Sequence, residues 1–278
     1  MHDAIELAAR LIAQADGLVI AAGAGIGVDS GLPDFRGNEG FWKAYPALGS
    51  RGMDFTDIAC PAAFRADPAL AWGFYGHRLN IYRRTVPHAG FGILREWAAR
   101  MQIGAQVFTS NVDGQFQAAG YADDQVFECH GSIHALQCLE PCSDAIWPAA
   151  GFEPVVDEAA RRLLSDLPRC PQCGGLARPN ILMFDDWGWI DGSNDKRARL
   201  ERWMTSVKRP VVIEIGAGTA VPSVRHFANG VVRQFGGRIV RINPRDCAVP
   251  EGQGVGLALG ALAGLQHIDQ VLKEMDHA

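Results

Sequence analysis

Four cysteines stand in two close pairs, Cys138-Leu-Glu-Pro-Cys142 and Cys170-Pro-Gln-Cys173. Four thiolates satisfy a tetrahedral zinc ion completely, which makes a structural site with no open coordination position. The count of seven cysteines is odd, and in a chain expected in the cytoplasm close pairs favour metal over disulfides. Pro171 and Gly174 shape the second turn as a zinc knuckle does. The competing readings are two unlinked thiol pairs, or one disulfide and two free thiols. Cys60, Cys129 and Cys247 have no near partner in sequence and are expected to behave as small buried hydrophobes.

A second set of reactive types follows short apolar runs. Thr109-Ser110-Asn111-Val112-Asp113-Gly114 comes after one run and Glu128-Cys129-His130-Gly131-Ser132 after the next. An imidazole titrates near neutrality and suits proton transfer at pH 7. A third set is Gly23-Ala24-Gly25-Ile26-Gly27, followed by Asp34-Phe35-Arg36. The N–H groups of a Gly-rich turn cradle a diphosphate, and an arginine meets phosphate with a bidentate fork. Taken alone, such a turn is equally a plain tight turn. No acidic residue ends a second strand about 20 residues on, where dehydrogenases hold the ribose, so hydride transfer is disfavoured.

These residues need a frame that brings them together. Leu18–Ala22, Ala105–Thr109, Gln125–Cys129, Val211–Ile215 and Arg238–Ile242 read as short buried strands. Asp3–Ala15 reads as a helix, with Asp3 and Glu6 as its capping box. Further helical patterns cover Phe91–Met101, Asp195–Val207, Ser223–Phe235 and Ala261–Met275. Strands alternating with helices predict a Rossmann-like parallel sheet with helices on both faces. Ligands bind beyond the carboxyl ends of such strands, so Asn111, Asp113 and His130 are expected at one cleft. Two stretches break the alternation. The expected division is a nucleotide-binding domain of residues 1–43, 88–135 and 181–278, a helical insertion at 44–87 and a metal-held module at 136–180, with a cleft between them.

Composition narrows the class. Apolar residues make up 48 % of the 278 and charged residues 21 %, which excludes disorder over most of the chain. The net charge of −5, with no basic run, argues against nucleic acid or an anionic membrane as partner. The best apolar stretch, Gly17–Val28, is far short of the roughly 20 residues of a membrane span. Met1-His2-Asp3 opens without a signal-peptide pattern; a cytoplasmic monomer is the expectation.

Taken together and in order, these motifs resemble the sirtuin family. Gly23-Ala24-Gly25-Ile26 with Gly31-Leu32-Pro33-Asp34-Phe35-Arg36 is similar to its GAGIS…SGIPDFR segment. Thr109–Asp113 is similar to TQNID, and His130-Gly131 to the HG pair. The cysteines fall where the family carries its zinc module. Arg178–Phe184 resembles RPxVVxF, Gly216-Ala217-Gly218-Thr219 stands at the GTS loop, and Ile242-Asn243 resembles the IN that meets the adenosine ribose. The resemblance implies an NAD-dependent protein lysine deacylase with one structural zinc, acting on an acyl-lysine protein or peptide. In such enzymes the acyl oxygen attacks the nicotinamide ribose as nicotinamide leaves, and O-acyl-ADP-ribose forms.

Residue by residue, the resemblance casts His130 as general base, Asn111 as the group positioning the ribose and a water, and Asp113 as holding the carboxamide. Gly23, Ala24, Gly25, Ile26, Asp34, Phe35, Arg36, Ser110, Gly216, Gly218, Thr219 and Asn243 would contact NAD. Phe35 would shield the reacting sugar, and Ile181 and Phe184 would line the substrate strand. Tyr75-x-x-Arg78 matches the pair that binds the carboxylate of succinyl or malonyl groups in some members; otherwise Arg78 is an exposed helix residue and Tyr75 is core. The chain departs from the pattern at Gly27, Ser110, Gln115-Phe116, Gly216–Gly218, Val221-Pro222 and Asp185–Trp189. These departures keep ADP-ribosyl transfer or NAD hydrolysis as an alternative. An NAD-sensing module without catalysis is disfavoured by the presence of Asn111 and His130.

Overall fold

The computed structural model describes residues 1–34, 37–49 and 52–277. Its strands, in chain order, are β1 (Gly17–Ala22), β2 (Ala105–Thr109), β3 (Val126–Glu128), β4 (Gly131–Cys138), β5 (Ile146–Pro148), β6 (Val156–Asp157), β7 (Arg162–Leu163), β8 (Ala177–Ile181), β9 (Pro210–Ile215), β10 (Arg238–Ile242) and β11 (Gly254–Leu257). Among the described residues, six form one parallel sheet in the order β11-β10-β9-β1-β2-β3. Every residue of β1, β2 and β9 is buried, as continuous apolar runs covered on two faces require. The chain runs outward in both directions from the β1/β9 pair. That reversal is a topological switch point, and a crevice opens outside the strand carboxyl ends there.

Helices His2–Ala13, Ala89–Arg100 and Ala261–Asp276 cover one face through Ile5, Ile12, Leu94, Trp97, Leu265 and Ile268. Helices Asn194–Ser206 and Ser223–Phe235 cover the other through Leu200, Met204, Val224 and Val231. The first helix begins at His2 with no side-chain cap; Glu6 instead pairs with His2 and Arg10. No helix among the described residues is long and apolar enough to cross a membrane.

Among the elements not expected from the sequence, two bear on the large sheet and its crevice. The Gly-rich turn continues as a 3-10 helix, Ala24–Ser30, closed by Gly31 at φ 84°. The edge strand β11 reads Gly-Val-Gly-Leu, too little apolar material to announce a strand. Its glycines are there for close approach: a Cβ on Gly254 would sit 1.9 Å from the Ile239 carbonyl oxygen.

A second body lies over the carboxyl end of the sheet. Strands β5-β4-β8 form an antiparallel sheet and β6-β7 a hairpin. Helices Pro46–Gly49, Phe55–Ile58, Pro61–Ala66 and Pro68–Arg84 pack beside them. One core joins the helices to the small sheet: Phe64, Trp72 and Tyr75 lie among Leu136, Ala149 and Ile181. Trp72 donates its indole N–H to the Ala177 carbonyl at 2.9 Å. Stretches far apart in sequence thus fold as one unit.

Candidate active site

A cavity of about 550 Å³ opens at the carboxyl ends of the central strands and runs beneath the second body. Gly23, Ala24, Gly25, Asp34, Ser110, Asn111, Asp113, His130, Gly216, Gly218 and Thr219 all line it. So do Tyr75, Arg78, Ile181 and Phe184 from the second body. Phe35 and Arg36 lie outside the described residues. Ile26 and Asn243 are buried and do not line the cavity.

The floor is made by two interlocked glycine turns. Gly23 donates to the Ile215 carbonyl and Gly25 to the Gly216 carbonyl, both at 3.0 Å. Gly216 has φ +63°, and a Cβ there would lie 2.2 Å from the Ile26 nitrogen. A Cβ on Gly23 would lie 2.8 Å from the Gly216 oxygen. Only glycine lets β1 and β9 empty their turns against one another. The result is a cradle of bare backbone of the kind that accepts a diphosphate. Gly216→Ala is therefore expected to cost about 2 kcal/mol or more, from the left-handed backbone and the clash, and to lower Tm by several degrees in thermal melts.

Asn243 turns its side chain inward. It donates to the Ala217 carbonyl at 2.7 Å and accepts from the Arg245 and Asp246 nitrogens at 3.0 and 3.1 Å. It thereby fixes the turn that presents Arg245 and Asp246 to the cavity. Sequence reading missed both residues; the Asn-Pro-Arg-Asp turn after β10 was the available signal. Behind them, buried Glu214 pairs with Arg225 at 3.0 Å and Arg241 at 2.8 Å, and Arg225 also donates to the Asp246 carbonyl at 2.7 Å.

At the centre, Asn111 donates to the Gly23 carbonyl at 3.2 Å. Asp113 is fully inside; burial raises its carboxyl to about 6, while the Gln115 N–H at 2.9 Å supports the anion. His130 is held below its ordinary value, because burial penalises the imidazolium; a hydrogen bond to the Ser110 backbone works the other way. The ring is therefore neutral near pH 7, the state a general base needs.

Arg78 is buried rather than exposed, on helix Pro68–Arg84. Its guanidinium lies over the rings of Phe74, Tyr75 and Tyr82, and its Nε and Nη2 donate to the Tyr82 hydroxyl at 3.0 and 2.8 Å. Tyr82 also lines the cavity and was not singled out in the sequence. Beyond β8, Leu182 and Met183 complete the wall. The buried pair Arg178–Asp186, at 2.5 Å, holds this stretch, because Asp186 also accepts from the Met183 N–H at 3.2 Å.

The cysteine quartet forms away from the cavity. The ligand atoms of Cys138, Cys142, Cys170 and Cys173 all lie within 4.8 Å of one another. The contacts Cys138–Cys173 and Cys142–Cys170 are both 3.6 Å. Ligands about 2.3 Å from a tetrahedral zinc stand about 3.8 Å apart, so the four thiols fit that ion and are too far apart for a disulfide. Cys60, Cys129 and Cys247 are half-buried rather than sealed in the core.

A Sir2 family model matches residues 23–221. The chain belongs to the Sir2 family. Among curated relatives, the NAD-dependent protein deacylase of Thermococcus kodakarensis is 30% identical over 239 residues, covering 85% of this chain and 83% of that protein. NAD-dependent protein deacylase 1 of Pseudomonas aeruginosa is 32% identical over 238 residues, covering 85% and 86%. The mitochondrial deacylase sirtuin-5 of Canis lupus familiaris is 32% identical over 191 residues, covering 64% of this chain and 58% of that one. A solved Sir2 homologue in complex with NAD shares the fold, with TM-score 0.71 at 24% identity over 96% of this chain and 93% of that one.

Proposed function

We propose that this chain is an NAD-dependent protein lysine deacylase, that His130, Asn111 and Asp113 are its central residues and that Arg78 biases it toward acidic acyl groups. The convergence of these three with a bare glycine cradle in one cavity carries the reading. NAD, when bound, supplies an electrophilic sugar carbon with nicotinamide as its leaving group. Gly23, Gly25 and Gly216–Thr219 present the backbone that would hold its phosphates. Asp113, ionised above about pH 6, accepts hydrogen bonds from an amide such as the carboxamide. Asn111 is anchored on the Gly23 carbonyl, beside the cradle. Neutral His130 takes a proton from a sugar hydroxyl. The acyl-lysine enters along Ile181–Phe184. Zinc at the four cysteines has a structural role only, since four thiolates close the ion to substrate.

The deciding assay measures nicotinamide release from NAD, with products identified by mass spectrometry. It compares acetyl-lysine, succinyl-lysine, unmodified and no peptide. Release that requires an acyl peptide and yields O-acyl-ADP-ribose is expected. Release without one, with free or protein-bound ADP-ribose, overturns the reading in favour of NAD hydrolysis or ADP-ribosyl transfer.

The acyl preference rests on the buried guanidinium. A carboxylate on the acyl chain gains a charge-assisted bond from Arg78 that an acetyl group cannot make. Arg78→Met is expected to lower kcat/KM for a succinyl peptide at least about 30-fold, an interaction of about 2 kcal/mol, and to change acetyl turnover less than threefold. Equal losses on the two peptides contradict a role in acyl selection.

A further inference from the structure

The structure assigns Ser223 as a positioning residue for His130. This rests on the reading of His130 as the base. Ser223 opens helix Ser223–Phe235 directly after Pro222. Its Oγ lies 3.3 Å from His130 Nε2, across 93 residues of sequence. The ring is thus held by elements from two different strand ends: the Ser110 backbone after β2 and the Ser223 hydroxyl after β9.

The two partners differ chemically. The Ser110 backbone favours the protonated ring, as an acceptor facing an imidazole does. A hydroxyl donates or accepts, so Ser223 donates to Nε2 while that nitrogen is unprotonated. The hydrogen bond on one nitrogen decides the tautomer, and hence which nitrogen is left to act. Here the acting nitrogen is Nε2. Nε2 has one lone pair, so the Ser223 hydroxyl yields it to the sugar hydroxyl when substrate binds; until then it holds the ring in the orientation and tautomer that the transfer needs. Ser223 also sets the ring beside the first turn of a 13-residue helix, whose positive end favours the neutral imidazole. Without the hydroxyl, the ring keeps one partner and gains freedom to turn about χ2.

Histidine-labelled ¹⁵N spectra of the ligand-free full chain test the contact directly, with His130 signals assigned by their loss in His130→Gln. In the wild type near pH 8 the two ring nitrogens are expected far apart in shift, as in a single tautomer with Nε2 unprotonated. In Ser223→Ala they are expected to move toward each other as tautomers mix, and Ser223→Thr restores the separation. In turnover, Ser223→Ala is expected to lower kcat about tenfold, as misorientation of a proton acceptor does, with the KM for NAD within twofold and recovery in Ser223→Thr. Ring shifts unchanged in Ser223→Ala overturn the assignment. So does an unchanged kcat, or a loss that falls on KM alone. If wild-type protein turns over no acyl peptide, the deacylase reading fails, while the ring spectra still decide the Ser223 contact.

Discussion

His130→Ala is expected to abolish acyl removal, with kcat down by about 10²–10⁴, the span that a positioned general base supplies. The fold should not follow. His130 belongs to none of the three apolar cores, and its side-chain hydrogen bonds go to Ser223 and the Ser110 backbone. Neither partner is left as a buried unpaired charge. Tm and zinc content should therefore match the wild type, and NAD should still raise Tm, because the glycine cradle is built from β1 and β9 and not from this loop. The checks are steady-state turnover, thermal melts with and without NAD, and metal analysis on one preparation. Preserved turnover in a folded His130→Ala protein removes the imidazole from the reaction and makes Asp113, with its carboxyl near 6, the group to test next.

The strand pattern of the large sheet was legible because its strands are buried on both faces. Val-Val-Ile-Glu-Ile in β9 and Leu-Val-Ile-Ala-Ala in β1 are apolar through their length; the exception, Glu214, is neutralised by two arginines. β11 was illegible for the opposite reason, since an edge strand that needs glycines for close approach has little hydrophobic signal left. Site residues tied to a strand end, such as Asn111 and His130, could be placed from sequence because the fold sends every such end to one crevice. Residues contributed by tertiary packing could not. Tyr82 reaches the cavity only because helix Pro68–Arg84 turns one face toward it, and Ser223 meets His130 only because β9 and β3 end on the same side of the sheet. Asn243 shows a different limit. Its position after β10 was readable, but whether its amide faced a ligand or the protein depended on a turn, Asn243–Asp246, that periodicity does not describe.

Cys170→Ser is expected to remove zinc and much of the stability together. Cys170 is a buried member of the quartet, its N–H bonded to the Gly175 carbonyl at 2.8 Å and its sulfur 3.6 Å from that of Cys142. A serine hydroxyl is not ionised at neutral pH and offers no thiolate, so the site drops to three ligands. Structural zinc contributes about 10–16 kcal/mol of apparent binding free energy at pH 7 to peptides that fold around it. The small sheet here shares its core with the helical stretch and not with the parallel sheet, so loss of the ion should loosen the module without melting the parallel sheet. The effect should nevertheless reach the reaction. β4 ends at Cys138, and β8, paired with it, ends at Ile181 on the cavity wall. Slackening the metal end of that pair slackens the wall that receives the acyl-lysine. Metal content falling from about one zinc per chain to near zero, a first melting transition at least about 10 °C lower, and a raised KM for acyl peptide with NAD still bound are the expected results. A zinc-free protein that melts and turns over like the wild type refutes a metal-held module and leaves the shared apolar core as the element that holds the small sheet in place.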